Sequence, residues 1–538
     1  MIDFFEGKNE KKMRIICILS LCLFSWIPNV IVQAAHVKNK LQIAIISDAH
    51  IQDTLLLRSM DAQLHSTRLF NENYFAFTAA LEDVAKRGIR YVILPGDITD
   101  NGQQRNIELV NRILRLYAKN ENMNFFVMTG NHDPARPFTV KDSLGDMKWW
   151  GYKEIMHELS DWGFFPRPDY MYWETPFSSY SYPDYAFKTA AREADISRRT
   201  YRIEGVKSLV PDASYLVEPL PGLWLLAIDA SVYPVLKATE DHAAAFGPAR
   251  VGYTEIFQRK GYLLSWIKKI TAQARKYNKT LITFSHYPMV DYNRGSADFL
   301  RQLAPTGFDL DRIPSSGISD TLADAGVKLH LGGHLHLNDE AVHVSRSGNT
   351  LKNIQVPSIA GYLPAYKIVE IDNNTVVDVK TVVLDSVPGF NHFFARYRAE
   401  HDSLARIGYK PLWNDTILTA SNYKEFCSLH LRDLVQLRYI NSFVPVCKNK
   451  FMKMTGKQLY SSVGLSDNDS LNWCAADLLT DLFKVRFAGE LALDDISKQR
   501  LKEYKVLFAR AVLSKGIGEE ELFLFNLSNA FLSLLKEK

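Results

Sequence analysis

The chain has 538 residues, of which 47% are hydrophobic and 23% charged, and its formal net charge is +4. That length points to two or more domains with a sizeable core, and the composition excludes a disordered chain. So weak a positive balance, with no long run of Lys and Arg, excludes specific nucleic-acid binding as the expected function.

The N-terminus reads as a secretory signal peptide over residues 1–35. Lys8, Lys11, Lys12 and Arg14 precede an apolar run from Ile15 to Ile27, and Val32, Gln33, Ala34 and Ala35 follow Pro28 and Asn29. A basic stretch, an apolar stretch and a small-residue exit make up that pattern. Met13 is an alternative start. An uncleaved anchor is the competing reading, but Pro28 interrupts a run already short for a span of ~20 residues. Large Leu21 before Cys22 argues against lipidation. The expectation is export to the periplasm, cell surface or exterior, with no membrane span after cleavage. Cys427, Cys447 and Cys474 are the cysteines beyond the signal, so at most one disulfide forms within the chain. Buried apolar cysteine is the preferred reading.

Short apolar runs then alternate with amphipathic stretches. Strands are expected over Leu41–Ser47, Tyr91–Leu94 and Phe125–Met128, with helices over Tyr74–Lys86 and Ile107–Tyr117. Residues 134–221 break the pattern. This segment is rich in Trp, Tyr, Phe and Pro, and is read as an insertion near the mouth of a site. Alternation resumes with strands at Leu223–Ile228 and Leu281–Phe284 around a helix over Ile256–Ala274. A short helix near Ser319–Ala325 and a strand at Val327–Leu331 follow. The runs Ile354–Val356, Ala365–Ile371 and Thr375–Val383 are expected to complete a second sheet. From about Phe390 the sequence turns helical, with amphipathic stretches at Asp495–Leu513 and Glu519–Leu535 parted by Gly516 and Gly518. The expected organisation is a signal at 1–35, an α/β domain over 36–389 and a helical region over 390–538.

Polar residues stand where each apolar strand ends: Asp48-Ala49-His50, Gly96-Asp97, Gly130-Asn131-His132-Asp133, His286, and Gly333-His334-Leu335-His336. In α/β sheets ligands bind beyond the carboxyl ends of the strands, so these five blocks are expected to converge. Asp oxygens, His nitrogens and an Asn carbonyl, without sulfur, suit borderline divalent ions such as Zn, Mn or Fe. In Asp48-x-His50 and His334-x-His336, alternate residues share a face of an extended exit. Any one block alone is weak, since Gly-Asp is usually a turn; the ordered set carries the inference. Asp100, Asn101 and Arg136 are weaker candidates for the pocket, and His65, His242 and His343 match no block.

In these blocks the sequence resembles the calcineurin-like metallophosphoesterases, whose signature runs D-x-H, GD, GNH[DE], a lone His and GH-x-H. The resemblance covers about residues 41–385, and neither the aromatic insertion nor the helical tail belongs to the signature. It implies a four-layer α-β-β-α sandwich and a binuclear metal centre. It further implies that Asp48, His50 and His336 hold the first metal, that Asn131, His286 and His334 hold the second, and that Asp97 bridges both. His132 would act on the leaving group or a phosphate oxygen, and Asp133 would orient it. The expected activity is hydrolysis of phosphate mono- or diesters by attack of a metal-bound hydroxide, with a phosphate ester as the partner. A non-catalytic metal-containing binding protein, with the helical tail as docking module, is the alternative.

Overall fold

The computed structural model describes residues 40–142, 146–237, 246–466, 471–514 and 518–535. The signal segment at 1–35 and His242 therefore lie outside the described residues. Among the described residues, no helix is long and apolar enough to cross a membrane.

Among the described residues, twelve strands of three or more residues form two sheets. They are β1 (Leu41–Ile45), β2 (Tyr91–Leu94), β3 (Asn124–Val127), β4 (Tyr172–Glu174), β5 (Tyr215–Leu220) and β6 (Leu223–Ala227), then β7 (Thr280–Phe284), β8 (Leu329–Gly332), β9 (Asp339–Val344), β10 (Thr350–Gln355), β11 (Ala365–Asp372) and β12 (Thr375–Val383). The first sheet runs β12-β11-β1-β2-β3 and the second β9-β10-β8-β7-β6-β5-β4. In the first sheet β1, β2 and β3 are parallel. In the second, β6, β7, β8 and β10 are parallel. Parallel strands covered on both faces become continuous apolar runs, which is why these were the segments most legible as sequence. Buried side chains of both sheets fall in one apolar core. Tyr215, on β5, donates to the Val127 carbonyl on β3 at 2.9 Å, tying the sheets together. The helices α1 (Asn73–Lys86), α2 (Gln104–Glu121), α3 (Tyr262–Lys276) and α4 (Ser316–Asp324) complete an α-β-β-α sandwich.

Several expectations need correction. Ala365–Ile371 and Thr375–Val383 do not complete a second sheet. They return to the first, where β11 lies antiparallel to β1. The predicted helix at Ile256–Ala274 is two pieces, Ile256–Arg259 and α3. The break falls at Lys260, a buried ammonium drawn out of helical register to meet Asp229 at 2.9 Å and Asp212 at 3.3 Å. None of the described residues in 134–221 lines the cleft at the polar blocks. The segment supplies β4 and β5 to an edge of the second sheet, and Trp162, Trp173 and Tyr172 are core residues. Its periodicity is absent because aromatic side chains are buried on both faces.

The tail forms α5 (Phe394–Arg406), α6 (Tyr423–Leu437), α7 (Ala475–Ala488), α8 (Lys498–Ser514) and α9 (Glu519–Leu534). Residues from Leu41 onward pack as one unit. The tail joins the α/β part through buried polar contacts: the Tyr397 hydroxyl donates to Glu72 at 2.6 Å and accepts from Asn71 at 2.8 Å. Tyr423 donates to the Ile359 carbonyl at 2.9 Å. Among the described residues the three cysteines are free, with Cys427 and Cys447 buried as expected. Cys474 is half-buried at the start of α7, where its backbone N–H donates to Asp477 at 2.9 Å.

Candidate functional site

All five polar blocks leave the carboxyl ends of β1, β2, β3, β7 and β8 and meet in one place. The turns that deliver them are tight. Asp48, His50, Asp97, His334 and His336 all have positive φ, between 45° and 73°, a region costly for side chains with a Cβ. Two glycines make the approach possible. A Cβ on Gly130 would run into the Asp97 carboxylate, and one on Gly333 into Ser47 and Asp48. The carboxylates are fixed by backbone donors: the His132 N–H reaches Asp97 Oδ1 at 2.8 Å, and the His334 N–H reaches both Asp48 oxygens at 3.1 Å.

Two groups of potential metal-holding atoms result, Asp48 with His50 and His336, and Asp97 with His286 and His334. Asp97 also gathers His50 and His132, so it stands between the two groups. In the first group His50 Nε2 lies 3.1 Å from His336 Nε2, and His336 Nε2 lies 3.4 Å from Asp48 Oδ1. In the second, His286 Nε2 lies 3.1 Å from His334 Nδ1, 3.1 Å from Asn131 Oδ1 and 3.2 Å from Asp97 Oδ2.

These contacts are poor as hydrogen bonds. A neutral imidazole has a single N–H, so several of the converging nitrogens and oxygens face one another as lone pairs. Burial pushes the His50 and His334 imidazoles well below their ordinary pKa, and Arg68 and Arg312 respectively add to that. Both rings are therefore neutral near pH 7, the form in which a histidine holds a metal. Burial alone would raise Asp97, but the His286 and His132 rings beside it hold it well below the carboxylate range. Burial works against a proton on His286, yet the Asp97 charge lifts its pKa above the ordinary value. A buried set of nitrogens and oxygens with too few hydrogens to share fits divalent cations.

His132 borders this set, its ring meeting the His50 ring edge-on at 4.9 Å. Its ring Nδ1 meets the backbone carbonyl of Asp100, and its Nε2 lies 3.9 Å from Asp97 Oδ2. Burial lowers its pKa, with Arg68 adding to the effect and Asp97 opposing it. Asp133, expected to orient His132, is engaged elsewhere. Asp133 Oδ1 accepts from the Thr99 N–H at 3.0 Å, so this carboxyl braces the loop after β2. Burial beside Asp97 raises its pKa well above the usual range. The orienting group is the Asp100 carbonyl. The Asp100 carboxylate in turn holds Arg68, whose Nη2 approaches at 2.7 Å and Nε at 2.9 Å.

Arg68, in a loop, and Arg312, ending the short 3-10 turn Leu310–Arg312, were passed over because neither belongs to a motif. Asp100 had only its nearness to Gly96-Asp97 as a signal. Of the weaker candidates, Asn101 accepts from the Gln103 N–H at 3.1 Å in a local turn, and Arg136 does not line the cleft. His65 caps a short helix, and His343 pairs with Asp320 at 2.8 Å; neither side chain lines the cleft. A second polar chain was also invisible in the sequence: Ser285 Oγ lies 2.7 Å from His330 Nε2, and His330 Nδ1 lies 2.7 Å from Asn353 Oδ1. It has the connectivity of a hydrolytic triad, but all three residues are 0% exposed, so it is a buried brace across β8 and β10.

The cluster opens into a cleft of about 380 Å³. Its walls include His50, Asp97, Asn131, His132, His334 and His336, and its rim adds arginines and residues of the helical tail.

A solved structure of a dimetal phosphatase from Danio rerio is similar to this chain at 14% identity and a TM-score of 0.34, covering 64% of this chain and 98% of that one. Another solved structure is similar at 7% identity and a TM-score of 0.22, covering 64% of this chain and 99% of its own. No curated protein matches the chain. A family model described as calcineurin-like phosphoesterase matches residues 41–338, more than half of the sequence and all five polar blocks. This chain therefore belongs to the calcineurin-like phosphoesterases and is a metal-dependent phosphoester hydrolase.

Proposed function

We propose that this enzyme is exported and hydrolyses phosphate mono- or diesters in the cleft, holding two divalent ions, Zn, Mn or Fe. In this reading Asp48, His50 and His336 hold one ion, Asn131, His286 and His334 hold the other, and Asp97 serves both. The observation that carries it is that buried Asp97, grouped with His286 and His334, also gathers His50, which belongs to the other group with Asp48 and His336. When bound, such ions supply Lewis acidity toward a phosphoryl oxygen and make water acidic enough to attack phosphorus near neutral pH.

The remaining steps belong to side chains of this chain. With Nδ1 bound to the Asp100 carbonyl, His132 carries a hydrogen there and leaves Nε2 for the substrate. In its imidazolium form it stabilises charge on a phosphoryl oxygen or passes the Nε2 proton to the departing oxygen. Arg68, on the wall beside it and fixed by Asp100, adds positive charge without holding a movable proton. Export rests on the N-terminal pattern at 1–35.

The test is release of p-nitrophenol from p-nitrophenyl phosphate and bis-p-nitrophenyl phosphate by the mature chain, with added Mn or Zn and with EDTA. Metal-dependent release that EDTA abolishes is the expected result, and the better substrate assigns monoester or diester. Release that is indifferent to both metal and EDTA counts against the reading.

A further inference from the structure

Beyond the metal-holding cluster the cleft carries more positive charge than one phosphoryl group needs. Arg68, Arg250, Arg312 and Arg438 line it, against the carboxylates of Asp97 and Asp309. Asp97 belongs to the cluster, and Arg68 is committed to Asp100. Two of the others have a defined setting.

Arg312 is fixed at both ends of its guanidinium, with Nη1 3.3 Å from His334 Nε2 and Nη2 3.3 Å from Asp309 Oδ1. Its Nε is buried with no hydrogen-bond partner. A buried charged donor without an acceptor is costly unless a ligand supplies one. Arg438 follows α6 in the helical tail, and its Nη1 donates to the His65 carbonyl at 3.2 Å. That neutral partner fixes the side chain without cancelling its charge. Tyr439 lines the same cleft, and its ring stacks on Phe483 at 4.6 Å and 12°, which makes it a fixed wall. Burial raises the Tyr439 phenol, while Arg438 and Arg312 both pull it down, consistent with the three groups sharing one space.

The tail also sets the position of Arg312. Arg486 of α7, buried at 6% exposure, donates to the Phe308 carbonyl and to Asn293 Oδ1 at 2.8 Å, pinning the segment that leads into Arg312.

We propose that Arg312 and Arg438 form a second anion subsite, which makes this enzyme prefer phosphate esters whose leaving group carries a further phosphate. Guanidinium groups favour phosphate through paired charge-assisted hydrogen bonds, and a neutral leaving group would leave the buried Arg312 Nε unanswered. The inference rests on the proposed location of the reacting phosphoryl group at the metal-holding cluster, and it makes the helical tail part of the substrate surface.

The experiment is calorimetric titration of the metal-loaded full chain with phenylphosphonate and with 1,4-phenylenebisphosphonate. These non-hydrolysable probes differ by one anionic group. The bisphosphonate is expected to bind about tenfold or more tightly, and Arg438→Gln or Arg312→Gln to narrow that ratio toward one. Arg438→Lys, which keeps the charge, retains part of the preference and serves as the control should the Gln variant lose its fold. Equal affinities in the wild type, or an unchanged ratio in folded Arg438→Gln, overturn the subsite. Binding is read without turnover, so failure of the subsite is distinguishable from failure of p-nitrophenyl ester hydrolysis, which would count against the proposed function itself.

Discussion

Asp48, His50, Asp97, His334 and His336 hold left-handed backbone conformations, each costing on the order of 1–3 kcal/mol for a residue with a Cβ. Such strain persists only where the surroundings over-determine it, and here β-strand ends, backbone donors to the carboxylates and two close-packed glycines do so. Gly130→Ala is accordingly expected to push Asp97 out of place and to lower both metal content and thermal stability, readable by elemental analysis and calorimetry. His132 presents a different case. Its ring meets the cluster at the His50 ring, 4.9 Å away and edge-on, and through a 3.9 Å approach to Asp97, and it is fixed from behind by Asp100. His132→Ala is expected to lower kcat by roughly 10²–10⁴-fold while bound metal stays at the wild-type level. Parallel loss of metal in that variant would place His132 among the metal-holding residues instead.

At the scale of elements, the parallel strands and the polar residues at their ends were legible because burial on both faces leaves continuous apolar runs such as LQIAI and YVIL. The partners of those strands were not legible. Whether Ala365–Asp372 pairs with β1 or with the second sheet depends on register across distant segments, and its alternation reads the same in either place. Tyr215–Leu220 was hidden for another reason: Glu218 and Pro219 interrupt it, and Glu218 is buried because Lys279 meets it at 2.6 Å and the Gly222 N–H and Trp224 indole donate to it at 2.8 and 3.0 Å. Likewise the partners around His132, the Asp100 carbonyl and Arg68, come from unpatterned loops.

The junction between α1 and α5 carries its own prediction. Burial raises the Glu72 pKa to about 7, although the hydrogen bond from Tyr397 opposes it. A carboxyl whose folded pKa exceeds its unfolded value binds more protons folded than unfolded. Stability is then fullest below about pH 4.5 and falls as pH rises toward 7. Glu72→Gln is expected to flatten that fall, by on the order of 2 kcal/mol between pH 5 and 8. Denaturant titrations of both proteins at those two pH values check it; an equal slope in the two would remove Glu72 as the cause.

Across the whole molecule, the α/β sandwich and the helical tail act on one cleft. The tail contributes Arg438 and Tyr439 directly and holds the segment before Arg312 through Arg486. Arg486 also lies 5.2 Å from the Phe308 ring centroid. Arg486→Ala is therefore expected to destabilise the chain by about 2–4 kcal/mol and to weaken substrate affinity as well, measured by denaturant unfolding and by KM. Truncation before Phe390 is expected to abolish soluble folding, because it strips the partners of buried Gln63, Asn71 and Glu72. A folded, fully active truncated enzyme would reduce the tail to an accessory module.

The central claim is that Asp97 serves two metal ions at once. Its most direct test is metal stoichiometry by elemental analysis of the wild type and Asp97→Ala, each after dialysis against Mn or Zn and removal of free metal. The account predicts two ions per wild-type chain and loss of both, not one, in the variant. A single ion in the wild type, or one retained at full occupancy in the variant, would contradict it.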